Sequence, residues 1–211
     1  TGSSVIEGYG MTETTTLISM SPPDKRARAG SVGLPLPGTG VSILREDGSF
    51  AAPGEIGEIV VAGPQVMAGY LARPETTSAA FHAGWMKTGD VGYLDDDGFL
   101  YLVDRMKDML LVGGFNVFPS EVDAVLAEHP GIAEAAVAGV SDGKLGDTMH
   151  AFVVRRDPDL TAAEVQAHCA GCLTGYKRPR AVHFVDELPK SPIGKVVRRE
   201  LRAMVKAGAV Q

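Results

Sequence analysis

Four short stretches of this 211-residue chain combine residue types that can do chemistry. Gly8-Tyr9-Gly10-Met11-Thr12-Glu13 sets a ring, a hydroxyl and a carboxylate around glycines, which let a backbone approach a ligand closely. Tyr9 is suited to stacking on a flat ring. Thr12 and Glu13 offer a hydroxyl beside a carboxylate, a pairing suited to phosphate and Mg²⁺. Taken alone, a Gly-Tyr-Gly turn before a helix is more often only a turn. Thr88-Gly89-Asp90 reads as an exposed turn whose carboxylate can accept two hydrogen bonds from a vicinal diol, and a solvent-facing Asx turn accounts for the same residues. The run Asp104-Arg105-Met106-Lys107-Asp108 concentrates charge, and an apolar strand then leads to Gly113-Gly114-Phe115-Asn116. Two adjacent glycines make a turn or leave room for something slender to pass the backbone. Ser191-Pro192-Ile193-Gly194-Lys195 is a rigid loop presenting one lysine. Such a cation suits a phosphate or carboxylate whose charge grows in a transition state, although an exposed surface lysine is the commoner fate.

Three other patterns resolve to plain structure. Gly194-Lys195 is not a phosphate loop, because Pro189 stands where the earlier glycine belongs and Val196 follows the lysine. Cys169-Ala170-Gly171-Cys172 lacks the two further ligands a structural zinc needs, and it lies mid-helix, so both cysteines are expected in the core. Asp95-Asp96-Asp97 before Gly98 reads as a turn rather than as a metal ligand set.

These groups must be positioned by elements of two kinds. From Gly30 to Leu102, closely spaced Gly and Pro separate short apolar runs. Val41–Leu44 and Ile56–Ala62 read as strands, and Asp47-Gly48 and Asp97-Gly98 as hairpin turns. The expectation is a small β-barrel-like unit. Beyond Lys107 helices appear. Ser120 is the expected N-cap of a helix whose apolar face is Val122, Val125 and Leu126. Strands are expected over 132–140, 149–154 and 181–185. Thr161-Ala162-Ala163-Glu164 is a capping box for a helix carrying Val165, Cys169, Cys172 and Leu173 and stopping at Gly175. A last helix carries Val197, Leu201, Met204 and Val205. The expected fold class is α+β: a β-barrel-like subdomain, then a small α+β domain with a three-stranded sheet. We expect domains at 1–104 and 105–211, with a hinge at Lys107.

Composition narrows the partners. An apolar fraction of 45% and a charged fraction of 22% are ordinary for a chain with a core. The net charge of −6 argues against generic nucleic-acid binding. That charge is uneven: residues 177–206 carry nine Lys/Arg against three Asp/Glu, which suggests a local anionic ligand or a solvated helix face. Thr1-Gly2-Ser3-Ser4 does not read as a secretory n-region, and no stretch approaches the roughly 18 apolar residues of a membrane span. The expected setting is cytoplasmic and reducing. Without an initiator Met, the chain is expected to be a piece of a longer protein.

Taken in order, Tyr9-Gly10-Met11-Thr12-Glu13-Thr14, Trp85-Met86-Lys87-Thr88-Gly89-Asp90, Asp104 to Asp108, Gly113 to Asn116 and Pro189 to Lys195 resemble the adenylate-forming superfamily of acyl-CoA synthetases, luciferases and peptide-synthetase adenylation domains. The resemblance covers essentially the whole chain and is nearest to bacterial long-chain fatty-acid CoA ligases. It implies ATP, Mg²⁺ and coenzyme A, with a fatty acid as the carboxylate substrate. By motif position, Tyr9 and Gly10 lie along adenine, Thr12 touches the α-phosphate and Glu13 holds Mg²⁺. Asp90 binds the ribose with Arg105 beside it, and Lys107 is the hinge. Gly113, Gly114 and Phe115 border the coenzyme A passage, and Lys195 is the adenylation lysine. The family's large N-terminal region, with its phosphate loop and acyl tunnel, is not in this sequence, so the chain alone is expected to be inactive. Two other readings compete. One is a different adenylate former, namely an aryl-CoA ligase, an acyl-AMP ligase or an amino-acid adenylation domain. The other is a non-catalytic nucleotide- or CoA-binding module. Peripheral membrane contact to collect fatty acid stays open, and no stretch argues for it.

Overall fold

The computed structural model describes residues 6–24, 26–141, 146–192 and 194–208. The sequence from Val5 to Thr14 reads as a short strand ending in a glycine-flanked turn; its Val5, like Ile193 of the lysine loop, lies outside the described residues. The chain divides into two compact units, Thr1–Lys107 and Asp108–Gln211. The division falls three residues beyond the boundary expected from sequence, so Arg105 belongs to the first unit.

In the first unit β1 (Gly8–Tyr9), β2 (Ser19–Met20) and β3 (Leu34–Pro35) form a small antiparallel sheet. A larger sheet follows, built from β4 (Gly40–Leu44), β5 (Gly57–Ala62), β6 (Phe81–His82), β7 (Trp85–Leu94) and β8 (Leu100–Arg105), with α1 (Pro74–Ala79) before β6. Its order is β4-β5-β7-β6, with β8 also paired to β7. The sheet is open, not closed into a barrel. The two-residue β6 covers only the start of β7, β8 takes the far half, and among the described residues neither pairs with β4. Both expected turns are present, with Gly48 and Gly98 at φ 82° and 81°, where only glycine is unstrained. The acidic run is the second of these turns. Asp95 Oδ1 accepts from the amides of Asp97 and Phe99, and Arg28 pairs with both Asp95 and Asp97. No metal-binding cluster occurs among the described residues.

The second unit begins with a hairpin of β9 (Leu110–Val112) and β10 (Phe115–Val117). Then come α2 (Pro119–Ala127), β11 (Ile132–Ser141), β12 (Asp147–Arg155), α3 (Ala162–Cys172), β13 (Ala181–Phe184) and α4 (Arg198–Lys206). The three-stranded sheet β11-β12-β13 is antiparallel at its first seam and parallel at its second. Period-two alternation gives it two apolar faces. Val137, Ala151 and Val153 join a core with Val122, Leu126, Val165 and Cys169 of α2 and α3. Ala136, Ala138 and Phe152 join another with Leu188, in the segment after β13, and Leu201 of α4. Each fully buried Val or Leu contributes about 1.5–3 kcal/mol, so both sheet faces need their helices.

Local chemistry sets the helix ends. Thr161 and Glu164 form the expected capping box, each side chain accepting from the other's amide. At α2 the N-cap is Phe118, and Ser120 lies inside the first turn. Pro119 takes the first helical position, where its missing N–H costs nothing. Helix α3 ends at Cys172, before Gly175. Cys169 is buried as expected but Cys172 is exposed. It is the last helical residue, and the extended Leu173 turns into the core in its place. No helix among the described residues is long and apolar enough to cross a membrane.

His150 and His183 meet across β12 and β13. Their Nδ1 and Nε2 atoms are 2.8 Å apart, and His183 Nδ1 is buried without a hydrogen-bond partner. Burial, then the neighbouring His183, holds the His150 imidazole below its ordinary pKa. The fold therefore disfavours the protonated form of His150 relative to the unfolded chain. The resulting stability is full above about pH 6.5 and is lost as pH falls through that value. Urea midpoints measured from about pH 7.5 to about pH 5.5 should decline, and His150→Gln should flatten the decline. An unchanged slope in the variant would refute the assignment.

Candidate functional site

The first unit gathers three of the predicted site residues at one point. Tyr9 Oη donates to Asp90 Oδ2 at 2.8 Å, and Arg105 Nε lies 3.4 Å from Asp90 Oδ1. Sheet register makes the second contact, because Asp90 and Arg105 are cross-strand partners of β7 and β8. Asp90 therefore stands within a strand, not on an exposed loop, and its side chain is 19% exposed. A bulge aims it. Glu58 and Val60 of β5 face Val91 and Lys87 of β7, so Thr88, Gly89 and Asp90 arch out between them. Gly89 takes φ 73°. Thr88 Oγ1 donates to the Ile59 carbonyl and accepts from the Asp90 amide, while the Gly89 amide donates to Glu58 Oε1. The local sequence that looked like a turn is a bulge with each of these groups satisfied.

Tyr9 itself is only 7% exposed and belongs to a core cluster with Ile18, Ile43, Ile59, Val61 and Leu100. Burial is the main reason its hydroxyl is held far above the usual phenol pKa, and the Asp90 carboxylate adds to it. Tyr9 is thus a neutral donor that holds Asp90, with little ring surface free to stack.

The segment after β1 is a single 3-10 turn, Thr12–Thr14. Buried Thr14 locks it, donating to the Met11 carbonyl and accepting from the Met11 amide. The chain then doubles back through Thr15 and Thr16 at φ 51° and 92°. Gly10 is required by this reversal, since a Cβ there would lie 1.7 Å from the Thr16 carbonyl oxygen. The close approach expected of this glycine is made to the chain itself. Thr12 is exposed and Glu13 half-buried. Glu13 Oε1 accepts from Tyr70 Oη at 3.0 Å, which pushes the Tyr70 pKa up. Sequence reasoning missed Tyr70, because nothing local to it marks a partner 57 residues away.

The other predicted residues lie further along the chain. Lys107 is exposed on the 3-10 turn Met106–Asp108. Gly113 and Gly114, at φ 58° and 86°, are the two-residue turn of the β9–β10 hairpin, and an added Cβ would meet nothing within 4 Å at either. Phe115 is 56% exposed, and its ring stacks on Tyr176 with centroids 4.5 Å apart. Lys195 is exposed, in a loop of the second unit.

The AMP-binding enzyme profile matches residues 1–71, and the profile for the AMP-binding enzyme C-terminal domain matches residues 121–195. The chain belongs to the adenylate-forming, AMP-binding enzyme superfamily. The chain is 48% identical over 202 residues to a long-chain-fatty-acid–CoA ligase of Escherichia coli O157:H7, a match that covers 96% of the chain and 36% of the relative. It therefore spans little more than a third of the length of that ligase. Among solved structures it is similar to ATP-bound MatB from Rhodopseudomonas palustris, with TM-score 0.91 and 38% identity over 98% of this chain and 41% of that one. It is also similar to the O-succinylbenzoate coenzyme A synthetase MenE from Bacillus subtilis in complex with ATP and magnesium ion, with TM-score 0.81 and 41% identity over 93% of this chain and 41% of that one.

The reversal after Gly10 gives a direct test. Gly10→Ala must push the Thr16 carbonyl aside and should destabilise the first unit by about 3 kcal/mol, read as a lower urea midpoint. A neutral substitution would mean the reversal gives way at no cost.

Proposed function

We propose that this chain is part of an ATP-dependent fatty acyl-CoA ligase. In the first step a carboxylate attacks the α-phosphate of ATP, giving acyl-adenylate and pyrophosphate. In the second, the thiol of coenzyme A displaces AMP. The observation that carries this reading is the 48% identity, over nearly the whole chain, to a long-chain-fatty-acid–CoA ligase. The ATP held by solved relatives supports the nucleotide, and the succinylbenzoate synthetase shows how near other carboxylate choices lie. Long-chain fatty acid is the substrate we favour.

In this reading Asp90 accepts hydrogen bonds from the ribose hydroxyls. Tyr9 holds that carboxylate from behind, and Arg105 holds it from across the sheet. Tyr9 and Gly10 border the adenine, and Thr12 meets the α-phosphate with its exposed hydroxyl. Glu13 fits Mg²⁺, which takes oxygen ligands and is commonly shared between one or two carboxylates and substrate phosphates. The Tyr70 hydroxyl on Oε1 steadies the carboxylate and leaves Oε2 to ligate. When bound, the ion neutralises phosphate charge. Lys195 places its ammonium where charge develops during attack on the α-phosphate. Attack on the adenylate does not need that lysine. The second unit then presents the Gly113-Gly114 turn and Phe115 to coenzyme A, turning about Lys107. The division of the chain just after Lys107 supports a hinge there.

Three measurements test this. In the full-length protein, Lys195→Ala should slow acyl-adenylate formation at least about 100-fold while sparing thioester formation from supplied acyl-adenylate. Equal loss in both half-reactions would remove the assigned role. A panel of carboxylates with the full-length protein should give the fastest acyl-CoA formation with long-chain fatty acids; preference for aryl acids would redirect the substrate. The isolated chain, covering 36% of the ligase it matches, should show no ATP–pyrophosphate exchange above buffer.

A further inference from the structure

Among the described residues Lys195 Nζ makes no hydrogen bond or ion pair, and the side chain is exposed. Its aim must come from the backbone that carries it. That backbone is a tight loop. The Ser191 amide donates to the Lys195 carbonyl at 2.8 Å, the Lys195 amide donates to Ser191 Oγ at 3.2 Å, and the Gly194 amide donates to the Ser191 carbonyl at 2.8 Å. Gly194 sits at φ 78°, and Lys190 and Val196 bridge at the base. A loop so closed on itself moves as a body, so its direction depends on where its two ends are fastened.

Both ends are fastened to β11. On the entering side Lys190 Nζ binds the Glu134 carboxylate at 2.7–2.8 Å, but this pair is 40% and 46% exposed. Solvent screens such a pair, and its contribution is small. On the leaving side Arg198 opens α4. Its Nε donates to the Val137 carbonyl at 3.1 Å, and its Nη2 binds Asp123 Oδ2 on α2. Asp123 Oδ1 in turn accepts from the Val137 amide at 2.7 Å. Among the described residues β11 ends its sheet, and no strand pairs with its outer edge at Val137. The Asp123–Arg198 fork satisfies both backbone groups of Val137 as a strand would. These two side chains are 23% and 18% exposed, so this anchor is the firmer one. The guanidinium is planar and donates in two directions at once, which an ammonium cannot do in the same geometry.

We propose that Arg198, held by Asp123 on the edge of β11, is the positioning residue that aims Lys195 during adenylation. The inference rests on the adenylation role given to Lys195 above. In the full-length protein Arg198→Met keeps the stem and removes the fork. It should slow acyl-adenylate formation at saturating substrate by about 10- to 100-fold, as misplacement by an ångström does. The KM for ATP and thioester formation from supplied acyl-adenylate should stay within about threefold, because only a transition-state contact is lost. Arg198→Lys should recover only part of the rate. Asp123→Asn should show the same split more mildly, and it decides the matter if Arg198→Met fails to fold. Intact adenylation, or equal slowing of both half-reactions, in the variant that folds would overturn the proposal. Lys195→Ala separates the two layers. If it shows the split and the Arg198 and Asp123 variants do not, the positioning role fails while the lysine's role stands. If Lys195→Ala shows no split, the reading of the lysine fails and this inference falls with it.

Discussion

A phenol and a carboxylate 81 residues apart in sequence tie the first unit together through the hydrogen bond from Tyr9 to Asp90. A hydrogen bond to a charged group contributes about 1.5–3 kcal/mol, whereas the exposed 3.4 Å contact with Arg105 is worth at most about 1 kcal/mol. The tyrosine therefore sets where the carboxylate stands, and Arg105 tunes the charge around it. Everything near this bond serves its geometry. The core holds the Tyr9 ring, the bulge through Thr88 and Gly89 turns Asp90 outward, and Thr14 and Gly10 fold the next segment back so that Thr12 and Glu13 stay accessible.

The second unit solves a different problem with the same economy. Its sheet has helices on both faces, so its reactive candidates are carried on loops at the periphery. One is a glycine turn whose positive φ values favour glycine. The other is the closed loop of Lys195, which borrows rigidity from the open edge of β11. An unpaired strand edge is usually a liability. Here the side chains that cover it also fasten the loop, so edge protection and presentation of the lysine share the residues Asp123 and Arg198.

The two units also divide the chemistry by element type. In the first, strands and a bulge hold acceptors and a neutral donor, a setting for binding a polar ligand. In the second, a cation and a narrow turn stand on loops that rigid elements can carry as bodies.

Much of this was legible in the residues. Period-two and helical spacing located the main strands and helices, the capping box at Thr161 formed as written, and the Gly48 and Gly98 turns fell where the dipeptides placed them. Each depends on atoms within a few residues, so local pattern suffices. The order of motifs along the chain likewise named the family. What local pattern could not supply was pairing across distance. Thr88-Gly89-Asp90 has the composition of a turn and becomes a bulge only because β5 and β8 flank it. Cys172 keeps the helical spacing of a core residue yet is exposed because the helix stops beneath it. The sheet stayed open because β6 is too short to carry the closure that the spacing of turns suggested. Tyr70 on Glu13, Tyr9 on Asp90 and Arg198 on Asp123 join residues 57 to 81 positions apart. Residue type and spacing determined which groups could act. Strand register and chain reversal decided which of them meet, because those are properties of the whole packed sheet and not of any segment within it.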